Sequence, residues 1–150
     1  MLWRTRQDAG MEYRMGASYP TKVRLASRSG NRCAFDRCTQ ALTIDPQGGG
    51  NPTLVGQAAH IAGENSTAAR YDPNMTDEQR DHYDNLVYLC GTHHTQVDEQ
   101  ERDFPVVRLL KMKAEHERKV QDGVTEALAD VGFEELGRAS ELIAKRPAGA

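Results

Sequence analysis

Two pairs of potential metal ligands, about fifty residues apart, constrain this 150-residue chain more than any other feature. Cys33 and Cys38 form the first pair, and Cys90 with His93, in a Cys-x-x-His arrangement, forms the second. Three thiolates and one imidazole are a common tetrahedral ligand set for structural zinc. This use of all three cysteines accounts for their odd number, since a disulfide framework would leave one unpaired. His94 is an alternative fourth ligand, and three buried free thiols beside an exposed histidine are the alternative to any metal site.

The composition favours a small domain that would benefit from such a metal. The chain has the length of one domain, and its 38% hydrophobic and 6% aromatic residues indicate a small core. A metal that joins two distant segments supports a core of this kind. Thiolate ligands fit a reducing compartment, and we find neither a signal peptide nor a run of about 18 apolar residues. We therefore expect a cytoplasmic protein that has no membrane partner.

Short apolar runs bounded by turn residues predict three strands. They cover 41–44, 53–61 and 86–89, and the last is apolar throughout, which indicates a buried strand. Between the first two strands, residues 46–52 contain three consecutive glycines and a proline at each end. This composition predicts a flexible loop, either the tip of a hairpin or a disordered insertion.

Capping signals predict two helices in the first half of the chain. Thr21 is a candidate N-cap for a short helix over 21–29. Thr76 and Gln79 have the spacing of a capping box, in which each side chain bonds the other residue's backbone amide. A helix of roughly 77–83 should follow this box.

Three helical segments are predicted in the second half. A helix over 92–99 carries the two adjacent histidines, and Pro105 opens a longer helix with a ragged apolar stripe. Gly123 is expected to break that helix, and a further helical segment is predicted over 124–143. With the strands, this pattern predicts an α+β fold.

The charge is unevenly distributed along the chain. The net charge is −3, yet residues 1–40 contain eight Lys and Arg against three Asp and Glu. A basic segment of this kind can contact phosphates, or it can simply be a solvated arm. The candidates for non-specific contacts with a nucleic-acid backbone are Lys22, Arg24, Arg28 and Arg32.

Several short motifs in a fixed order resemble the HNH (His-Me finger) endonucleases in their zinc-knuckle form. After the first cysteine pair come Ala59-His60-Ile61, then Asn85-Leu86, then Cys90-Gly91-Thr92-His93-His94, and then the helix opened by Pro105. The resemblance covers about residues 25–118 and is strongest to the nuclease domains of bacterial antiphage effectors. It implies a small ββα-metal core with a structural zinc knuckle. The implied divisions are a basic arm over 1–24, a nuclease domain over 25–121, and a C-terminal helix and tail over 122–150.

The resemblance also implies a role for each motif residue. His60 is the general base that activates water, and Asn85 either fixes the loop holding His60 or reaches a catalytic metal. His94 is a ligand of that metal, which is Mg²⁺ or Mn²⁺, and His93 is therefore the fourth ligand of the structural zinc. The implied activity is hydrolysis of phosphodiester bonds in DNA with little sequence specificity.

One position departs from the family pattern. Many members have Asp directly before the base and use it to bind the catalytic metal, whereas this chain has Ala59. The carboxylates available to compensate are Glu64, Asp84 and Asp98. Mg²⁺ tolerates few protein ligands because it keeps several waters, so we expect the site to function.

Arg70 has two possible roles. It could contact the DNA backbone, or it could form a salt bridge within its own loop, with Asp72 or Asp77. The first is the role expected in a nuclease.

Two other functions remain open. The chain could be a zinc-stabilised nucleic-acid or protein binding module that has lost cleavage, as Ala59 and the net acidity suggest. It could also be a nuclease subunit that is active only with a regulatory protein partner or as a homodimer, with 124–143 and the basic arm as the docking surface. The presence of His60, Asn85 and His94 together favours the enzyme, since a binding module needs only the zinc ligands.

Overall fold

Two small antiparallel sheets and a set of α-helices make up the part of the protein that the computed structural model describes, namely residues 16–129, 132 and 137–141. The predicted α+β class is therefore confirmed. The elements are α1 (Tyr19–Arg28), β1 (Thr43–Ile44), β2 (Thr53–Leu54), β3 (Gly56–His60), α2 (Asp77–Arg80), a 3₁₀ turn (Tyr83–Asn85), β4 (Leu86–Cys90), α3 (Gly91–Glu99) and α4 (Val106–Ala129). Residues 137–141 are also helical.

The antiparallel pair of β3 and β4 forms the centre of the fold. Gly56 lies opposite Cys90 at one end of the pair, and His60 lies opposite Leu86 at the other. Every residue of β4 is buried, as its unbroken apolar sequence predicts. Helix α3 contacts both strands, while α1 and α4 contact β4. The fully buried side chains include Leu42, Ile61, Leu89, Val97 and Leu109.

The predicted strand over 53–61 is divided at Val55. The part before it, β2, pairs with β1, and the part after it, β3, pairs with β4. The amides of Val55 and Gly56 both donate to the carbonyl of Leu42, at 2.8 and 3.0 Å, which marks the crossing from one sheet to the other. Glycine is needed at this crossing, because a Cβ on Gly56 would lie 2.9 Å from Cβ of Leu42. Residues 46–52 connect β1 to β2 and thus form the tip of a hairpin.

Helix α1 begins earlier than predicted. Its N-cap is Ser18 and not Thr21, because the Ser18 hydroxyl accepts a hydrogen bond from the Thr21 amide at 3.3 Å. Pro20 fits the first turn, where its missing amide proton would have no partner. The basic arm predicted over 1–24 therefore overlaps a helix, and its residues 1–15 lie outside the described part of the chain.

The capping box is confirmed, although α2 is shorter than expected. The Thr76 amide donates to the Gln79 side chain at 2.8 Å, and the Gln79 amide donates to the Thr76 hydroxyl at 3.2 Å. The helix ends at Arg80, and a 3₁₀ turn then leads into β4. This geometry puts Asp81 at the C-cap of α2, close to the end of β3.

The predicted break at Gly123 is wrong. Helix α4 continues through Gly123 to Ala129, beyond the boundary predicted between 121 and 122. A glycine inside an exposed helix costs only about 1 kcal/mol, which the helical residues on both sides offset. Of the segment 130–150, only 132 and 137–141 belong to the described part of the chain.

No helix in the described ranges combines the length and the apolar character that crossing a membrane requires.

Candidate functional site

The four predicted zinc ligands come together at the start of α3. Cys33 and Cys38 lie in the turn that follows α1, Cys90 is the last residue of β4, and His93 is in the first turn of α3. Their ligand atoms all lie within 4.8 Å of one another. Nδ1 of His93 is 3.2 Å from Sγ of Cys90 and 3.6 Å from Sγ of Cys33. We call these residues the Cys3His cluster.

The geometry of the Cys3His cluster fits a tetrahedral metal ion. Zinc–sulfur and zinc–nitrogen bonds of about 2.3 and 2.0 Å separate sulfur from nitrogen by about 3.5 Å in a tetrahedron, close to the observed distances. The His93 ring is stacked on Phe35 with the ring centroids 3.9 Å apart, which holds Nδ1 toward the sulfurs. His94 is not part of the cluster, so the structure selects His93 as the fourth ligand.

The buried thiol of Cys33 needs a cation to ionise. Burial raises the pKa of the Cys33 thiol to about 12, even though the Cys90 amide donates a hydrogen bond to its sulfur at 3.2 Å. A bound metal ion favours the thiolate and overcomes this cost. The four residues are therefore close enough, and of the right chemistry, to hold one metal ion such as zinc.

A second group of polar side chains surrounds a cavity of about 390 Å³ on the other side of α3's first turn. His60, the last residue of β3, and His94 of α3 both line it. The carboxylates of Glu64 and Asp98 line it as well. We call it the histidine cavity. Two of the three predicted catalytic residues thus share one space, although 33 positions separate them in the sequence.

The His60 ring is oriented by a carboxylate that the sequence analysis missed. Nε2 of His60 lies 3.0 Å from Oδ1 of Asp81, while Nδ1 lies 4.0 Å from Oε2 of Glu64. An ionised carboxylate only accepts hydrogen bonds, so the Asp81 contact assigns the proton to Nε2 in the neutral ring. Nδ1 is then left as a proton acceptor. The capping box at Thr76 was the one available signal, since it sets where α2 begins and Asp81 follows the single turn of that helix.

Asn85 holds the segment that follows His60. Its side chain is 8% exposed. Its Oδ1 accepts from the Ala62 amide at 2.9 Å, and its Nδ2 donates to the carbonyls of Ala62 and Arg80, both at 2.9 Å. The Ile61 amide also donates to the Asn85 carbonyl, at 2.8 Å. These bonds match the loop-fixing alternative for Asn85 and commit its amide group to the protein backbone.

Few ligands for a catalytic cation converge in the histidine cavity. Nδ1 of His94 lies 3.7 Å from Oδ2 of Asp98, and this is the closest such pair there. In the described ranges, the Cys3His cluster is the only group of three or more potential ligand atoms that lie within 4.8 Å of one another. Ala59 is fully buried opposite Val87 and does not line the cavity, and Asp84 lines a different cavity together with His82.

The Arg70 side chain bonds mainly within the protein. Its side chain is 5% exposed, and its guanidinium pairs with Asp98 at 2.8 Å instead of with Asp72 or Asp77. Further guanidinium hydrogen bonds go to backbone carbonyls of the protein. Four of the five guanidinium donors thus bond within the protein, which favours an internal role for Arg70, while its contact with the DNA backbone stays a prediction.

The other predicted backbone contacts lie away from the histidine cavity. Lys22, Arg24 and Arg28 are exposed on α1, where Arg28 pairs with Glu117 at 2.9 Å, and Arg32 is exposed just after that helix. None of them lines the cavity, and the residues that do line it include no Lys or Arg. Arg70, which does not line the cavity, pairs with one of its carboxylates, Asp98, at 2.8 Å.

A buried polar cluster supports Asn85 from the side of α4. Nζ of Lys113 donates to the carbonyls of Tyr83 and Leu86, at 2.8 and 2.7 Å, and lies 3.3 Å from Oε1 of Glu117. Burial lowers the pKa of Lys113 and raises that of Tyr83. Burial also raises the pKa of Glu117, but hydrogen bonds from Tyr83 and Arg28 outweigh this and lower it overall. The cluster fixes the backbone on both sides of Asn85.

Comparisons with known proteins do not assign the chain to a family. No family model matches it, and no curated protein matches it significantly. The functional argument therefore depends on the Cys3His cluster and the histidine cavity themselves.

Proposed function

We propose that the protein is a metal-dependent endonuclease of the HNH type that hydrolyses phosphodiester bonds in DNA. The observation that carries this proposal is the histidine cavity, which His60 and His94 both line and in which Nδ1 of His60 is left as a proton acceptor. The pairing of β3 with β4, followed by α3 packed on both strands, supports a ββα-metal core. The two histidines come from the strand and the helix of that unit.

His60 is the general base in this proposal. Asp81 holds the proton on Nε2, so that Nδ1 can accept a proton from a water molecule as the water attacks the scissile phosphorus. Asn85 keeps the segment after His60 in place through the two backbone bonds to Ala62. A neutral imidazole suits this task near neutral pH.

The second histidine belongs to the proposed cation site. His94 and Asp98 offer one imidazole nitrogen and one carboxylate oxygen 3.7 Å apart, which fits an ion that keeps most of its waters. Mg²⁺ or Mn²⁺ bound there would stabilise charge on the phosphate and the leaving oxygen. The acidic lining of the cavity also favours binding of a cation before the polyanionic substrate.

Structural zinc in the Cys3His cluster completes the proposal. His93 and His94 are adjacent, so a metal that fixes His93 also fixes the first turn of α3 and the direction of His94. Because the cluster joins the turn after α1 to the end of β4, it would hold the small core together.

The wider setting of the proposal comes from resemblance. It includes action on DNA with little sequence specificity, a role in antiphage defence in the cytoplasm, and control by a regulatory protein partner or a second copy of the chain. The exposed basic residues on α1, Lys22 and Arg24, are the proposed non-specific contacts with DNA.

A zinc-stabilised binding module is the second candidate. It is favoured by the lack, among the described residues of the cavity, of three potential ligand atoms that converge, with buried Ala59 where many HNH nucleases have a ligand. In that case His60 and His94 would have no chemical role.

Plasmid cleavage with Mg²⁺ or Mn²⁺ tests the enzyme against the module. We expect the wild type to nick or linearise plasmid DNA, and His60→Ala to lose on the order of 10²-fold or more in rate. The matched control is His82→Ala, because the His82 side chain is 64% exposed and lies outside the histidine cavity. Equal rates for the wild type and His60→Ala would favour the binding module. No cutting by a zinc-loaded wild type would indicate either the binding module or a nuclease that needs a partner.

A further inference from the structure

Arg70 connects the two sides of the histidine cavity. Its Nε donates to the carbonyl of Ile61 at 2.8 Å, and its Nη2 donates to the carbonyl of His60 at 3.3 Å. On the opposite side, Nη1 donates to the carbonyl of Val97 in α3, and Nη2 also pairs with Oδ1 of Asp98 at 2.8 Å. One buried side chain therefore bonds the end of β3 and the helix that carries His94.

The backbone of Arg70 takes part in the same arrangement. Its φ angle of 57° is in the left-handed region, which is uncommon for a residue with a side chain. Its carbonyl accepts from the Gly63 amide at 3.4 Å, so the loop returns to the segment that follows His60. Such a conformation persists only where surrounding contacts determine it, as the guanidinium contacts do here.

Arg80, the last residue of α2, provides a comparison because it bonds the same loop. It is 2% exposed and donates to the carbonyls of Gly63, Asp72 and Met75. These bonds hold the loop itself, and none of them reaches α3. Arg70 differs from Arg80 because its partners belong to two separate elements, β3 and α3.

We propose that Arg70 is a positioning residue, which fixes the end of β3 relative to α3 and thereby sets the separation of His60 and His94. This inference rests on the proposed nuclease function. Arg70 touches neither substrate nor cation. It acts by holding the His60 carbonyl on one side and Asp98, the neighbour of His94, on the other. The planar guanidinium is needed because its fixed array of donors reaches all four acceptors at once.

The test is Arg70→Lys, which keeps the positive charge but loses the planar guanidinium and its fixed array of donors. We expect kcat for plasmid cleavage to fall on the order of 10- to 100-fold with KM within about threefold, because positioning and not binding is lost. The activity control is Arg102→Lys, which should cut at the wild-type rate, because Arg102 is exposed and lines with Arg70 a cavity separate from the histidine cavity. Zinc content should remain one per chain in both variants.

Hydrogen exchange followed by mass spectrometry supplies a readout that does not depend on cleavage. In Arg70→Lys, the peptides covering 58–66 and 91–99 should both exchange faster, on the order of tenfold. In Arg80→Lys, the loop over 63–75 should exchange faster while α3 keeps its protection. This contrast separates positioning across the cavity from a general loosening of the loop.

The outcomes separate this inference from the proposed function. A wild type that cuts while Arg70→Lys retains its kcat overturns the positioning role and leaves the nuclease intact. A wild type that does not cut overturns a nuclease that is active without a partner. The exchange experiment then still decides whether Arg70 joins β3 to α3. The positioning role is overturned if the protection of α3 is unchanged in Arg70→Lys, or if it is lost equally in Arg80→Lys.

Discussion

The Cys3His cluster and the histidine cavity are neighbours on α3, since His93 belongs to the first and His94 to the second, yet they are built in opposite ways. In the cluster, four side chains converge and one metal ion can satisfy them all. In the cavity, His60 and His94 face a shared space, and buried side chains hold the backbone around them. The difference is that between a closed site, which suits stability, and an open one, which suits a ligand.

The largest expected effect comes from substituting the two adjacent histidines one at a time. We expect His93→Ala to lose the zinc ion and to destabilise the fold by several kcal/mol, because metal binding contributes directly to folding in small metal-bound domains. His94→Ala should keep one zinc per chain and a wild-type Tm, yet lose cleavage. Metal analysis and thermal unfolding, with and without a strong chelator, measure both effects.

The reverse result would contradict the assignment of the two sites. If His94→Ala loses zinc and His93→Ala keeps it, the structural ligand is His94. If chelation leaves the Tm of the wild type unchanged, the Cys3His cluster does not support the fold.

The next largest effect tests whether activity at the histidine cavity depends on the orientation of the His60 ring. We expect Asp81→Asn to reduce the cleavage rate on the order of 10²-fold, because an amide no longer fixes the proton on Nε2 of His60. The matched control is Asp84→Asn, since Asp84 is exposed and lines a different cavity. Rates are measured under saturating DNA, with zinc content and Tm as checks on folding. A rate for Asp81→Asn equal to that of Asp84→Asn would remove Asp81 from the site.

The same contrast explains what could be predicted from the sequence. The four zinc ligands were predictable because thiolates and imidazoles at short spacings have a specific chemistry, and buried β4 was predictable from its unbroken apolar run. The supports of the cavity were not. Asp81 reaches His60 only because α2 ends where it does, and Arg70 reaches α3 from a loop whose left-handed backbone has no sequence signature.

Helix boundaries were missed for a related reason. The wrong break at Gly123 came from weighing a single residue, whereas the helix depends on the whole segment. The wrong N-cap at Thr21 came from overlooking Ser18, three residues earlier, whose hydroxyl has the same capping ability. The division of the strand at Val55 depends on a close approach to Leu42, which only the folded chain reveals.

The smallest expected effect concerns the buried polar cluster of Lys113, Tyr83 and Glu117. It shows whether the residues that support Asn85 respond to pH. Hydrogen bonds from Tyr83 and Arg28 hold the pKa of Glu117 below its usual 4.5. The ionised carboxylate therefore stabilises the fold at pH values above 4.5, and its contribution is lost as the pH falls through the lowered pKa. We expect Glu117→Gln to cost about 1–2 kcal/mol of unfolding free energy at pH 7, because Lys113 and Arg28 lose a charged partner.

That cost should shrink toward zero at acidic pH, where the wild-type carboxyl is protonated as well. Denaturant unfolding of the wild type and Glu117→Gln at a series of pH values measures the difference. Glu115→Gln is the control. Within the described residues Glu115 pairs with exposed Lys111 on the same helix, at 3.7 Å, and a surface pair of this kind contributes little. A penalty for Glu117→Gln that persists unchanged at acidic pH would mean that packing against Tyr83, and not charge, makes Glu117 stabilising. The support behind Asn85 would then be as insensitive to pH as an apolar core.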